Sequence, residues 1–304
     1  MKHYFIVNPI AGGRDHTELI LAQALSVFSQ RSDTFELINT HAPRDAARIV
    51  REIAEDGEEA RVYACGGDGT FHECVNGAAG YDHIAVAPIP IGTGNDFCRM
   101  FDAGRELYLD LPALVDGFTH KIDLIDVNGE LCCCIASVGI DARVGTNVHR
   151  YTHLPFCRGG GAYIASAAVE LLKGLTRKMK LVCGDYSYEG DMTLCCVCNG
   201  RYYGGGFNPS PEAMPDDGIL DIYCVRKVNL IQAAAAIGDY AKGRADDYPE
   251  YITHLRGDSV TIWFEEENVI NADGEALYAD KAVFRLIPQA LNLIVPKGIT
   301  FFNS

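Results

Sequence analysis

No stretch of this 304-residue chain approaches the roughly 18 consecutive apolar residues of a membrane-spanning helix. Its start, Met1-Lys2-His3, runs straight into a short strand pattern and Asn8-Pro9, without the apolar core and cleavage site of a secretory signal. A cytoplasmic protein is the expectation. Positive charge is scarce as well: 26 Lys and Arg face 41 Asp and Glu, for a net charge of −15. That balance argues against nonspecific nucleic-acid binding, so no nucleic-acid partner is expected, and it disfavours long-range attraction to an anionic membrane. The chain lacks the Gly-x-x-x-x-Gly-Lys-Ser/Thr of the common P-loop. It also lacks paired Cys-x-x-Cys knuckles, internal repeats and long Gly/Ser linkers. Its 12 cysteines, densest at Cys132–Cys134 and Cys195–Cys198, fall in apolar β-like runs. Reduced, buried cysteine acting as a small hydrophobe explains them better than zinc.

With 48% hydrophobic and 22% charged residues, the composition is globular, and the length suits one large domain or two ordinary ones. The first part alternates strand and helix patterns. Tyr4–Val7, Phe35–Ile38, Val62–Cys65 and Ile84–Ile91 are apolar runs. Between them Leu21, Ala24, Leu25 and Phe28, then Ala46, Ile49, Val50 and Ile53, recur at helical spacing. Repeated β–α units predict an α/β domain over residues 1–122, a parallel sheet covered by helices on both faces. Beyond it, Asn128-Gly129 is a hairpin signal. Strand-like runs follow at Leu131–Ile135, Lys180–Tyr188, Met192–Val197, Leu220–Val225 and Val260–Phe264, with helices over about Tyr163–Leu175 and Leu230–Ala241. These predict a β-rich, sandwich-like or barrel-like domain over 123–289. The short crossing predicts two lobes with an interdomain cleft as the active site.

The chemistry centres on Gly66-Gly67-Asp68-Gly69-Thr70, between a strand pattern and a helix pattern. A glycine-rich turn there lets backbone N–H groups approach a phosphate, and the helix N-terminus adds positive potential. Asp68 inside the turn would repel phosphate, which suggests a divalent cation between them. Asn8-Pro9-Ile10-Ala11-Gly12-Gly13 and Ile91-Gly92-Thr93-Gly94-Asn95-Asp96 follow other strands, and ligands in parallel sheets gather at that strand edge. Downstream lie Gly204-Gly205-Gly206, Asp216-Asp217-Gly218 and Asp273-Gly274-Glu275. Taken alone, Asp273-Gly274 reads as a hairpin turn, Asn95-Asp96 as a helix cap, Asp123 as a strand start and His72 as a satisfied helix-start histidine.

In order and combination these motifs resemble the diacylglycerol kinase and sphingosine kinase family of lipid kinases, in particular its soluble bacterial members, over nearly the whole chain. The resemblance implies ATP and Mg²⁺ as cofactors, with Asn8, Pro9, Gly12, Thr40, Gly66, Gly67, Asp68, Gly69, Thr70, Thr93 and Asn95 lining the nucleotide site. It implies that the segment from about 290 to 304 returns to the first domain. It places Asp68, Asp96 and Asp123 around the Mg·ATP. It makes Asp273 the general base for a lipid hydroxyl, with Glu275 orienting or assisting it. It also assigns a structural Mg²⁺ to the Asp217 carboxylate with the backbone carbonyls of Met214 and Ile219, Asp216 being the competing ligand. A diacylglycerol-like lipid, transient contact with the membrane surface and peripheral association with it are the implied partners and place. Oligomeric state is left open, a homodimer included. The sequence departs from the commonest bacterial pattern at His72, at Ala11-Gly12 and at Cys98. NAD kinase, which shares the Gly-Gly-Asp-Gly turn, and a non-catalytic nucleotide-binding regulator are the alternatives. The 141–180 window, with seven basic and two acidic residues and the apolar or aromatic Tyr151, Leu154, Pro155 and Phe156, is a candidate headgroup contact.

Overall fold

The computed structural model describes residues 1–147, 169–170 and 174–303. Most of the helix expected over Tyr163–Leu175 lies outside the described residues, as do Arg150, Tyr151, Leu154, Pro155, Phe156, Arg158 and Lys173 of the basic window. The chain divides into two compact units, Met1–Leu124 with Pro288–Ser304, and Ile125–Ile287.

The first unit is a β–α alternation: β1 (Lys2–Val7), α1 (Thr17–Phe28), β2 (Thr34–Asn39), α2 (Asp45–Glu55), β3 (Ala60–Gly66), α3 (Asp68–Ala78) and β4 (Ile84–Pro90). Short helices α4 (Gly104–Leu109) and α5 (Leu111–Val115) lead to β5 (Phe118–Val127). The strands pair in parallel in the order β4-β3-β1-β2. Near the C-terminus Asn292 and Leu293 pair in parallel with Ala85 and Val86 of β4. Strand residues such as Phe5, Ile6, Val62, Tyr63 and Ala64 are buried regardless of which face they point to, as a sheet covered on both sides requires. In α2 the expected face is the buried one. In α1 it is not. Ile20, Ala24 and Phe28 are buried, whereas Leu21 and Leu25 are 40% and 56% exposed. The helix is rotated because the Phe28 ring packs on Phe5, Phe35 and His3.

The second unit continues with β6 (Glu130–Cys132), β7 (Ile135–Gly139), α6 (Ile140–Asn147), β8 (Arg177–Cys183), β9 (Tyr186–Cys198), β10 (Leu220–Arg226), α7 (Leu230–Tyr240), β11 (Ile252–Gly257), β12 (Ser259–Ala272) and β13 (Glu275–Val295). Its strands pair antiparallel in the order β11-β10-β9-β7-β12-β13, with β8 against β9 and β12. Asn128 and Gly129 both take positive φ, 53° and 94°, and close the hairpin Val127–Glu130. Two strand expectations are corrected. Lys180–Tyr188 is a hairpin that turns after Cys183, where Gly184 takes φ 53°. Leu131–Ile135 is broken at Cys133-Cys134, whose amides bond a distant carboxylate instead of a neighbouring strand. Every cysteine among the described residues is buried and outside any disulfide. Cys132, Cys183, Cys195 and Cys224 pack in the apolar core beside Ile222, Ile262 and Phe284. Burial pushes the Cys224 thiol up to about 12, which suits an inert small hydrophobe.

Among the described members of the basic window, Arg143 is buried against Glu170 at 3.2 Å, and Lys178 and Lys180 lie 3.7 and 3.9 Å from Glu265 and Glu189. No helix of the described residues is long and apolar enough to cross a membrane.

Candidate active site

The turns after β1, β3 and β4 meet in the first unit, and backbone-on-backbone packing explains their glycines. A Cβ on Gly92 would sit 2.4 Å from the Cα of Gly67. A Cβ on Gly12, at φ 66°, would sit 2.4 Å from the carbonyl oxygen of Ile91. The amides of Ile91 and Gly92 donate to the Gly66 carbonyl at 3.1 and 3.0 Å. Asn8 donates from Nδ2 to Thr70 Oγ1 at 3.3 Å and accepts the Ile10 amide at Oδ1. Thr40 closes the same edge, its amide donating to the Val7 carbonyl at 2.8 Å. Pro9 is partly exposed and Thr93 exposed at the loop tip. Helix α3 starts here with Gly67 as its N-cap, so no side chain caps it. Its first-turn amides, including Gly69 and Thr70, lack intrahelical acceptors, the arrangement that takes an anion. A small apolar recess, lined by Phe71, Pro88, Phe97 and Cys98 among others, lies against Gly66–Asp68.

Asp68 ties two of these turns together. Its Oδ2 accepts the Asn95 amide and its Oδ1 the Asp96 amide, both at 2.7 Å. Asn95, buried at φ 56°, donates from Nδ2 to the Gly92 carbonyl at 2.7 Å. Asp96 stands at the N-cap of the 3₁₀ turn Phe97–Met100, but its side chain makes no cap bond and pairs with Arg99 at 3.2 Å. The helix-cap reading of Asp96 is thereby replaced by an i,i+3 ion pair. Asp123 lies inside β5 rather than at its start. It is buried and accepts the Gln289 amide at 2.7 Å. His72 is buried in α3 beside Asn76. Sequence reasoning missed Glu73. Its carboxylate accepts the amides of Arg44 and Ala46 at 2.8 and 3.0 Å, capping α2 from another helix. The available signal was that α2 begins at Arg44-Asp45 without a cap of its own.

In the second unit Asp273 and Gly274, at φ 50° and 99°, form the two-residue turn between β12 and β13, with Ala272 paired to Glu275. The hairpin reading therefore holds for the backbone. The side chain does more. Asp273 accepts the amides of Cys133, Cys134 and Ile135 at 2.6, 2.9 and 3.2 Å, and the Cys132 thiol also hydrogen-bonds it. Asn199, fully buried, holds the same segment by donating to the Cys133 carbonyl at 2.9 Å. Nothing local in the sequence marked it. Glu275 is exposed at the start of β13. Asp217 accepts the Ile219 amide at 3.0 Å and lies 3.4 Å from the Arg256 guanidinium, while the Met214 sulfur lies 3.2 Å from Arg201. Arg256 thus already brings to this carboxylate the positive charge a cation would supply. Among the described residues no three His, Cys, Asp or Glu side chains cluster as a metal site.

A further carboxylate went unnoticed in the sequence. Asp141, at the start of α6, accepts the Ala142 amide at 2.9 Å and the Tyr203 hydroxyl at 3.2 Å, and Tyr203 lies 3.3 Å from the Tyr240 hydroxyl. Burial raises its pKa to about 6, against the stabilising bonds from Ser137, Ala142 and Tyr203. The folded protein therefore holds a proton that the unfolded chain releases, and stability falls as pH rises from about 4 through 6. Asp141→Asn is expected to stabilise the protein by about 1–2 kcal/mol above pH 7, after allowance for partial exposure, and to make little difference below pH 4. Urea unfolding at both pH values checks this. An equal effect at both would show that Asp141 is not desolvated.

Known proteins share both the family and the fold of this chain. Residues 2–127 match the diacylglycerol kinase catalytic domain, and residues 134–295 match the YegS C-terminal NAD kinase beta sandwich-like domain. A protein of Pseudomonas aeruginosa named "Probable lipid kinase YegS-like" is 31% identical over 255 residues, covering 84% of this chain and 82% of its own. A Shewanella frigidimarina protein of the same name is 24% identical over 291 residues, covering 94% and 93%. A solved structure from Bacillus anthracis str. Sterne, "a putative diacylglycerol kinase", superimposes with a TM-score of 0.74 at 28% identity over 96% of both chains. With an α/β unit, a β-rich sandwich-like unit and these matches along nearly its whole length, the chain belongs to the YegS-like family of lipid kinases with a diacylglycerol kinase catalytic domain.

Proposed function

We propose that this lipid kinase transfers the γ-phosphoryl group of Mg·ATP to the hydroxyl of diacylglycerol or a related lipid alcohol, with Asp273 as general base. The observation that carries the nucleotide half is the uncapped N-terminus of α3, where three glycine-rich turns converge. Phosphoryl transfer demands little covalent help from the protein: held phosphates, shielded charge and an oriented acceptor. The residues fit a cation that arrives on the nucleotide. Asp68, with both oxygens already bonded, and Asp96 would reach it through water, while Asp123 is buried on a backbone amide. When bound, the cation supplies charge neutralisation on the phosphates. The acceptor oxygen forms the new bond to the γ-phosphorus, the bond to the β-bridging oxygen breaks, and ADP leaves. The acceptor proton passes to the Asp273 carboxylate, which its four donors hold in one orientation. Glu275, exposed beside that turn, is proposed to assist it.

The test incubates the protein with labelled ATP and Mg²⁺ against a total lipid extract, and in a parallel arm against NAD, with mass spectrometry of the products. A phosphorylated lipid alcohol is the expected product. Phosphorylated NAD would favour NAD kinase, and ATP binding without any product would favour a regulatory module.

A further inference from the structure

Helix α7 is built inside out. Its capping box is complete, with Asn229 accepting the Ile231 and Gln232 amides and Gln232 accepting the Asn229 amide, so the helix is locally well specified. Yet among its residues only the small Ala236 and the C-terminal Tyr240 are buried. Its large apolar side chains point to solvent: Leu230 is 58%, Ile231 82% and Ile237 56% exposed. At about 100° per residue, Leu230, Ile231, Ala234, Ile237 and Gly238 share one side of the helix, away from Ala236 and Tyr240. No side chain from Leu230 to Gly238 carries a charge, in a protein with 22% charged residues.

A second apolar element is tethered to this helix. The Asn208 amide donates to the Ala241 carbonyl at 3.0 Å, and Asn208 bridges to Lys242. This fixes the Tyr203–Phe207 turn beside the end of α7, with Phe207 36% exposed. Exposed Lys227 stands before the helix, paired with Asp191 at 2.8 Å, and exposed Lys242 and Arg244 stand after it, Arg244 paired with Asp239 of the helix. An uncharged apolar stripe on the exposed side of a well-capped helix matches a helix that lies in a lipid interface.

We propose that α7 and Phe207 form the surface by which this protein docks on a lipid bilayer. The choice of occupant rests on the lipid-kinase reading, since a long-chain acceptor resides in a bilayer. Charge also separates a bilayer from a second copy of the chain: two copies, each with a net charge of −15, repel one another, whereas an uncharged bilayer surface does not. Because the protein carries a net charge of −15, docking is driven by apolar insertion and depends weakly on salt. The docking surface is also linked to the buried polar network, for Tyr240 at the end of α7 meets Tyr203, which donates to Asp141.

The test is co-sedimentation of the full chain with phosphatidylcholine vesicles at 0.15 M salt, without ATP, for the wild type, Ile231→Asp and the double variant Leu230→Gln/Ile237→Gln. Partitioning is expected to weaken roughly tenfold or more in both variants. Melting temperature and turnover of a short-chain lipid alcohol dissolved as monomers are expected to stay unchanged. Wild type that ignores the vesicles, or variants that bind them equally well, would overturn the proposal. So would a dimer in sedimentation velocity that Ile231→Asp dissociates. Vesicle binding lost in the variants, while the wild type phosphorylates no lipid alcohol in any form, would uphold the docking surface and discard the lipid-kinase reading instead.

Discussion

Asp273→Asn is expected to lower phosphoryl transfer by roughly 10²–10⁴-fold while ATP affinity changes little, because a positioned base contributes about that much and the nucleotide cradle lies in other residues. The structure adds a second effect. The Asn side chain has one acceptor oxygen where the carboxylate has two, and three amides from Cys133 to Ile135 need acceptors. A stability loss of about 1–3 kcal/mol accompanies the substitution. Asp273→Gly separates the backbone from the side chain, since glycine suits the φ of 50° and keeps the turn while removing base and acceptor together. Single-turnover kinetics with saturating ATP, alongside thermal unfolding, give both numbers. A loss below about tenfold, with chemistry rate-limiting, would reduce Asp273 to a turn residue that braces Cys133–Ile135.

Asp68→Ala is expected to abolish measurable turnover, at least about 10²-fold, since misplacing by an ångström the loop proposed to hold phosphate has that cost. The substitution also carries a structural cost. Removing the carboxylate strands the Asn95 and Asp96 amides, each bonded at 2.7 Å, and releases the Gly92–Asp96 turn from α3. Roughly 2–5 kcal/mol of destabilisation follows for two unmade bonds in a part-buried site. Asp68→Asn keeps one acceptor and should fall between wild type and Ala in both stability and ATP affinity. Calorimetric titration with Mg·ATP and urea unfolding check this. Near-normal activity of Asp68→Ala at limiting Mg²⁺ would show that the clamp is dispensable and would sink the phosphate-site assignment.

The parts of this protein that local chain chemistry dictates were legible before any coordinates. Strand and helix periodicity located β1 to β4 with α2 and α3. Asn128-Gly129 located a hairpin because both positions must take positive φ. The glycines at 12, 66–67, 92 and 94 marked turns, and order along the chain identified the family. Tertiary structure decided everything that depends on partners distant in sequence. The amides that occupy Asp68 come from 27 and 28 residues away, and those on Asp273 from 138 to 140. No local pattern encodes such pairings, so Glu73 as a cap for α2, Asn199 behind Cys133 and the break in the Leu131–Ile135 run could not be read. Helix α1 shows the same limit in packing, since periodicity allows several faces and the Phe28 ring against Phe5 and Phe35 selects one. Helix α7 reverses the usual rule altogether. Its apolar sequence predicts burial, and only the folded arrangement, which covers the Ala236–Tyr240 side and leaves Ile231 in solvent, turns that composition into an exposed surface.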